Sequence, residues 1–279
     1  MNNSPSIALL VCHFGVYPWY LQYFIHSCKF NPTIDFYIIT DTVEPIPHKP
    51  DNVKIVYHTL DSFKLKASEK LGFDVGIITS NNKVADFKPA FSFLFSEITA
   101  SYDFWGYTDL DIIFGNIRDF MTDEVLNHDV ISGRHDGIYG KFCLFRNSPK
   151  TQTLFMQSRD YRQIFSRPQK FYFDGCNVLL DKDKNASILD FADGLQSMTF
   201  VVKKAQTEGK VSAFFDFLGL AGLMALSNGV YWNKGVLMYK NEFECMYCDL
   251  SQYYAICQDK KVADFLPDEF GFGLTLSNS

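Results

Sequence analysis

Four strand-like runs separated by helical spacing, all between Ile7 and Gly115, constrain this chain more than any other feature. Ile7-Ala-Leu-Leu-Val-Cys-His13 is continuously apolar, the pattern of a strand covered on both faces. Phe14-Gly15-Val16-Tyr17-Pro18 is a tight connection, and Pro18 suits the first turn of a helix. Leu21, Phe24, Ile25 and Cys28 then recur at helical spacing, and Asn31-Pro32 closes that helix. Asp35–Thr40 and Asn52–Tyr57 read as a second and a third strand, joined by a Pro-rich loop at 45–50. A polar helix near 61–71 follows, and Phe91, Leu94, Phe95 and Ile98 mark another that leads into the fourth strand. The alternation predicts the α/β class, a mostly parallel central sheet flanked by helices. Ligands of such sheets bind beyond the carboxyl ends of the strands, so His13, Asp41 and Asp109 are expected along one rim.

The fourth run is Tyr102-Asp-Phe-Trp-Gly-Tyr-Thr-Asp-Leu-Asp-Ile-Ile-Phe-Gly115, a dense aromatic strand that ends in two carboxylates one residue apart. In an extended backbone i and i+2 point to the same side, so Asp109 and Asp111 can face one site. Two hard oxygen donors suit Mg²⁺ or Mn²⁺, which in turn can hold a diphosphate. Without a cation the two carboxylates would repel and one pKa would rise. A strand-ending turn is the plainer alternative for such acids.

Beyond Gly115 the pattern changes. Asp129–Gly133 and Lys141–Phe145 read as short, antiparallel-capable strands, helices are expected at about 150–165 and 194–208, and Tyr231–Tyr239 reads as a hairpin turning near Asn233-Lys234-Gly235. Phe217–Leu226, the longest apolar stretch, is too short to span a bilayer and reads as a buried helix. No internal repeat or low-complexity linker divides the 279 residues, so one domain is expected, with residues 1–120 binding nucleotide and 121–279 binding acceptor. A net charge of −6 with no basic block argues against nucleic acid as a partner. Seven cysteines without regular spacing, and a polar N-terminus unlike a signal peptide, fit a cytoplasmic location. Cys245-Met-Tyr-Cys248 lacks the second pair that structural zinc normally requires.

Three segments, Cys12–Pro18, Asp86-Phe-Lys-Pro-Ala90 and Tyr102–Gly115, and more loosely Phe142–Asn147, make the chain resemble the GT-A superfamily of nucleotide-sugar glycosyltransferases. More narrowly, it resembles bacterial glycosyltransferases from cell-surface polysaccharide gene clusters. The likeness runs from the N-terminus through the segment that ends at Asn147 and fades afterwards. It implies a GT-A-like (Rossmann-like) sheet with a smaller mixed acceptor-side region. It also implies that Asp109 and Asp111 hold Mn²⁺ or Mg²⁺ against the diphosphate of a UDP-sugar. His13, Phe14 and Gly15 would approach the nucleotide, Asp41 would accept a hydrogen bond from uracil or ribose, and Asp86 and Lys88 would line the same pocket. Lys88 would then meet a phosphate or a sugar-proximal carboxylate. Relatives often supply a third metal ligand, a His, from the C-terminal part. All six His here lie between 13 and 135, so either a late acid or water completes the shell or the metal is held more weakly.

Plainer roles compete at several of these positions. His13 at a strand end can simply bond backbone, Asp41 and Asp86 can be helix caps, and Lys88 before Pro89 can be a solvated first-turn residue. Arg134, in the glycine-bounded loop Arg134-His-Asp-Gly137, can meet the donor or sit in an ordinary turn. Asp181-Lys-Asp183 is a second D-x-D in a charge-alternating, solvated setting. An inverting transfer needs a base for the acceptor hydroxyl, and Asp174, Asp190 and Asp193 are the candidates. The expected acceptor is a glycan or lipid-linked glycan at the inner membrane face, reached by peripheral contact. Two rivals stand beside this reading. Asp109-Leu-Asp-Ile-Ile113 superficially fits aspartate-nucleophile phosphohydrolases, although three strands precede it. A non-catalytic nucleotide-sugar-binding protein is the other.

Overall fold

The computed structural model describes residues 4–76, 81–135, 137–175, 194–220, 230–240, 242–253 and 269–272. The first four strands are β1 (Ile7–Cys12), β2 (Ile34–Thr40), β3 (Val53–Tyr57) and β4 (Phe104–Thr108). They pair in parallel, β2 and β4 flanking β1 and β3 lying outside β2. Next in the chain come β5 (Ile112–Phe114), β6 (Val130–Ser132), β7 (Phe142–Arg146) and β8 (Ala213–Phe215). Of these, β6, β7 and β8 complete a seven-stranded sheet in the order β3-β2-β1-β4-β7-β6-β8. Only β7 runs against its neighbours, so the α/β reading with a mostly parallel sheet holds.

The alternation of side chains along the strands explains why both faces are covered. Ala8 and Leu10 of β1 and Trp105 and Tyr107 of β4 face one apolar layer, with Phe63 and Ala67 of helix α2 (Leu60–Leu71). Ile7, Leu9 and Val11 of β1 and Phe104 of β4 face the opposite layer, with Phe24 and Ile25 of helix α1 (Leu21–Lys29). All five residues of β4 are buried, and Trp105 stacks on Phe145 of β7 with ring centroids 4.5 Å apart. Gly106 allows that close approach, because a Cβ there would lie 2.4 Å from the Cys143 carbonyl oxygen.

Two smaller sheets lie alongside. The first contains β10 (Val230–Asn233), β11 (Val236–Tyr239), β12 (Phe243–Glu244) and β14 (Glu269–Phe272). Its β10–β11 hairpin turns through Lys234 and Gly235, both at positive φ, as a tight primed turn requires. The second joins β5 to β13 (Tyr247–Asp249) and β9 (Gly219–Leu220).

Two sequence expectations change. Gly219–Leu220 is a strand parallel to β13 rather than part of a helix, because Gly219 packs against the Tyr247 ring with no room for a Cβ. Positions 221–226 of that apolar stretch lie outside the described residues. The helix expected at about 150–165 is broken into Pro149–Gln152, Leu154–Gln157 and Tyr161–Ser166. The helix near 194–208 is present as α3 (Met198–Thr207), with the Ser197 hydroxyl accepting from the Phe200 amide at its start. Cys245 and Cys248 are buried, packed in an apolar cluster with Trp232 and Leu237.

Candidate active site

Because β1, β2 and β4 are parallel, their carboxyl ends bring His13, Asp41 and Asp109 to one edge of the sheet. Two adjoining cavities open there. One, of about 230 Å³, is lined by Tyr107, Tyr139, Gly140, Tyr172 and Asp174 among others. The second, of about 270 Å³, is lined by Cys12, His13, Tyr20, Phe91 and Asp111 among others. Lys88, Asp109 and Lys170 line both. The strand that carries the paired acids therefore ends where the two cavities meet.

Each acid of the pair is held by a lysine. Lys88 Nζ lies 2.6 Å from Asp109 Oδ1 and donates to the Gly140 carbonyl at 2.6 Å. Lys141 Nζ lies 2.8 Å from Asp111 Oδ2 and 2.7 Å from Asp249 Oδ1. The β5–β13 pairing brings Asp249 there by setting it opposite Ile112, and the Leu250 amide donates to the Asp111 carbonyl. Tyr139 donates its hydroxyl to Asp249 Oδ2 and the Ser251 amide donates to Oδ1, which fixes that carboxylate.

Burial, and next the charge on Asp109, push the Asp111 carboxyl above its ordinary pKa, and Lys141 offsets this only in part. Burial works against the Lys141 ammonium, but Asp111 and Asp249 outweigh it and raise its pKa, so the lysine stays charged. Burial likewise raises Asp174, with Lys88 pulling the other way. Cys12 is pushed well up by burial, which keeps its thiol protonated.

The donor set admits a divalent cation on one condition. Among the described residues no group of three or more His, Cys, Asp or Glu is arranged to hold a metal. Mg²⁺ is commonly held by one or two carboxylates together with substrate phosphates, and Asp109 and Asp111 match that smaller set. The pair fits Mg²⁺ or Mn²⁺ when a diphosphate completes the coordination.

The other sequence candidates divide. His13 lines the second cavity, and its Nε2 lies 3.0 Å from the Val16 carbonyl oxygen. Phe14 turns inward and packs edge-on against Phe63. Gly15 adopts φ 94°, and its amide donates to Asp41 Oδ1 at 2.6 Å, so Asp41 braces the loop after β1. Asp86 caps no helix. It is buried, pairs with Lys83 at 2.9 Å and accepts from the Phe171 and Phe173 amides, although its residue also borders the first cavity. Those two amide bonds bracket Tyr172 and hold it at φ 55° beside Asp174. Arg134 is exposed in the loop after β6 and borders neither cavity. Trp232 is buried in the core, whereas Tyr231 is partly exposed. Asp181, Asp183, Asp190 and Asp193 lie outside the described residues.

Sequence reading missed Lys141, Tyr139 and Asp249. Lys141 leads a recognisable strand, and pairing that strand against β4 would have set it beside the acids. Asp249 depends on a pairing between β5 and a segment near the other end of the chain, for which no local signal exists.

A family model described as "Family of unknown function (DUF6625)" matches residues 9–265. No curated protein matches the chain. Solved structures similar to it include the galactosyltransferase LgtC in complex with donor and acceptor sugar analogs, at 12% identity and a TM-score of 0.35, covering 57% of this chain and 64% of that one. They also include the apo-form glycosyltransferase GlyE of Streptococcus pneumoniae TIGR4, at 10% identity and a TM-score of 0.34, covering 76% of this chain and 45% of that one. The chain spans less than two thirds of either protein's length.

Proposed function

Because the chain belongs to the DUF6625 family, whose function is unknown, we propose an activity from the site itself: transfer of a hexose from a UDP-sugar to an acceptor hydroxyl. The biological setting we propose is bacterial surface polysaccharide synthesis (O-antigen, lipooligosaccharide or capsule), on the strength of the motif-level resemblance between Cys12 and Asn147. The observation that carries the activity is the D-x-D pair at the strand-end rim, set where two adjoining cavities share Lys88 and Asp109. A donor and an acceptor need two such spaces with the diphosphate between them.

In this reading the nucleotide lies in the cavity beside His13, Tyr20 and Phe91, within the nucleotide half at 1–120. Asp109 and Asp111 would hold Mn²⁺ or Mg²⁺ against the diphosphate, and the cation would supply Lewis-acid stabilisation of its negative charge. Lys88 sits between the cavities and stabilises negative charge on the leaving oxygens. Asp174 takes the proton from the acceptor hydroxyl as that oxygen bonds to the sugar carbon and the bond to UDP breaks. Its burial suits it to this role, because a carboxylate with a raised pKa is a stronger base. Tyr172 and Tyr139 line the cavity that would take the acceptor sugar.

No helix among the described residues is long and apolar enough to cross a membrane, so a lipid-linked acceptor would be met from the membrane surface. The phosphohydrolase reading is weakened by strand order, since the acids follow the fourth strand in the chain and not the first. The activity is tested by UDP release from UDP-hexoses with Mn²⁺ and a panel of glycan acceptors. Acceptor-stimulated release by wild type, absent in Asp109→Asn, is the expected result. Release from phosphate esters alone, or donor binding without turnover for every acceptor, would refute it.

A further inference from the structure

Three carboxylates, Asp109, Asp111 and Asp249, meet two ammonium groups, Lys88 and Lys141, around the rim. With all five ionised the cluster carries a single negative charge. A divalent cation arriving alone would face an ammonium group already paired with one oxygen of each acid. A diphosphate arriving alone would face three carboxylates. Arriving together, they bring charges that the five groups can match: the cation for the carboxylates, the diphosphate for the lysines.

The side chains differ in how firmly they are held. Asp249 is pinned by the Tyr139 hydroxyl and the Ser251 amide in addition to Lys141. Lys88 and Lys141 are long stems whose ammonium groups are held by oxygen acceptors, and Lys88 already borders both cavities. The Gly140 carbonyl that accepts from Lys88 immediately precedes Lys141 in the chain, so the two lysines meet at one loop.

We propose that Lys88 and Lys141 are resident counter-ions of the acid cluster, which leave the carboxylates for the diphosphate when donor and cation bind together. This rests on the nucleotide-sugar reading above and deepens it. The free protein takes up a divalent cation poorly, and cation and diphosphate each raise the affinity for the other by the same factor.

Binding of Mn²⁺ followed by the loss of its free-ion electron paramagnetic resonance signal tests this without any turnover. The proteins are wild type, Lys141→Met, Lys88→Met and Asp109→Asn/Asp111→Asn, each with Mn²⁺ alone and with Mn²⁺ plus UDP. Wild type should bind Mn²⁺ weakly alone and at least roughly tenfold more tightly with UDP, the scale set by unit charges at a partly screened site. Lys141→Met should bind Mn²⁺ alone roughly tenfold or more tightly than wild type does, because a cation has left the acids it must share. Lys88→Met gives an independent reading at the more exposed Asp109 should Lys141→Met fail to fold. Equal Mn²⁺ affinity in wild type and in whichever lysine variant folds would overturn the proposal, even with UDP binding intact. If UDP binds in no arm, the nucleotide-sugar reading falls with the diphosphate half of the proposal. The comparison with Mn²⁺ alone still decides whether the lysines compete for the acids.

Discussion

Asp174 combines a half-buried carboxyl with a place on the wall of the first cavity, and its pH behaviour follows from that position. Burial favours the neutral acid, so its basic form fills only as pH rises through a pKa above the ordinary aspartate value. At saturating donor, turnover should therefore rise with pH along an acid limb above that value, and Asp174→Asn should abolish turnover while leaving donor binding within about threefold of wild type. The sign for stability is the reverse of a salt-bridged acid. The cost of burying this charge is full above the folded-state pKa and is lost as pH falls from there to the ordinary aspartate value. Asp174→Asn should accordingly melt no lower than wild type at pH 7, and a loss of Tm there would contradict the assignment. Gly140 bears on the same group, since a Cβ there would lie 2.7 Å from Asp174 Oδ2. Gly140→Ala should cut turnover by roughly tenfold or more through displacement of that carboxylate, with a Tm shift of only about a few degrees. Steady-state kinetics beside thermal melts separate the two effects.

Among the elements, the helical turn Ala85–Ala90 organises the site by way of a residue that touches no ligand in the proposed mechanism. Asp86 pairs with buried Lys83 and receives the amides on either side of Tyr172, and so ties the segment that carries Asp174 to that turn. Asp86→Ala leaves a buried ammonium without its carboxylate and two amides unmet, and should lower unfolding free energy by about 3–5 kcal/mol in urea titration. Gly106→Ala, set against the Cys143 backbone, should cost about 1–3 kcal/mol by overpacking β4 against β7.

The same elements explain how much of the molecule is legible in the sequence. The strands through β4 and helices α1 and α2 follow from local periodicity: β1 and β4 are buried almost throughout, β2 mostly so, β3 is an outer apolar run with Ile55 and Tyr57 exposed, and the helices are amphipathic. The hairpin at Lys234-Gly235 follows from turn chemistry. The helical pieces Ala85–Ala90, Phe91–Leu94 and Ser96–Thr99, like those at 149–166, are not legible as separate, since Phe87, Phe155 and Phe165 pack into one distant-contact layer that local periodicity does not reveal. Asp86 can be recognised as a pocket residue, but its clamp on 171–173 depends on a contact far along the chain. The Lys141–Asp249 bridge likewise rests on two distant pairings, each made by strands the sequence does not join.

For the whole molecule, a net charge of −6 surrounds a rim where two lysines nearly neutralise the clustered acids. The account turns on that rim recognising a nucleotide diphosphate together with a cation. Isothermal calorimetry of UDP and UDP-hexoses, with and without Mn²⁺, on wild type and Asp109→Asn/Asp111→Asn tests this most directly. The account predicts binding by wild type that Mn²⁺ strengthens and that the double variant loses. Absence of nucleotide binding by wild type in the presence of Mn²⁺, with phosphate esters hydrolysed instead, would contradict it.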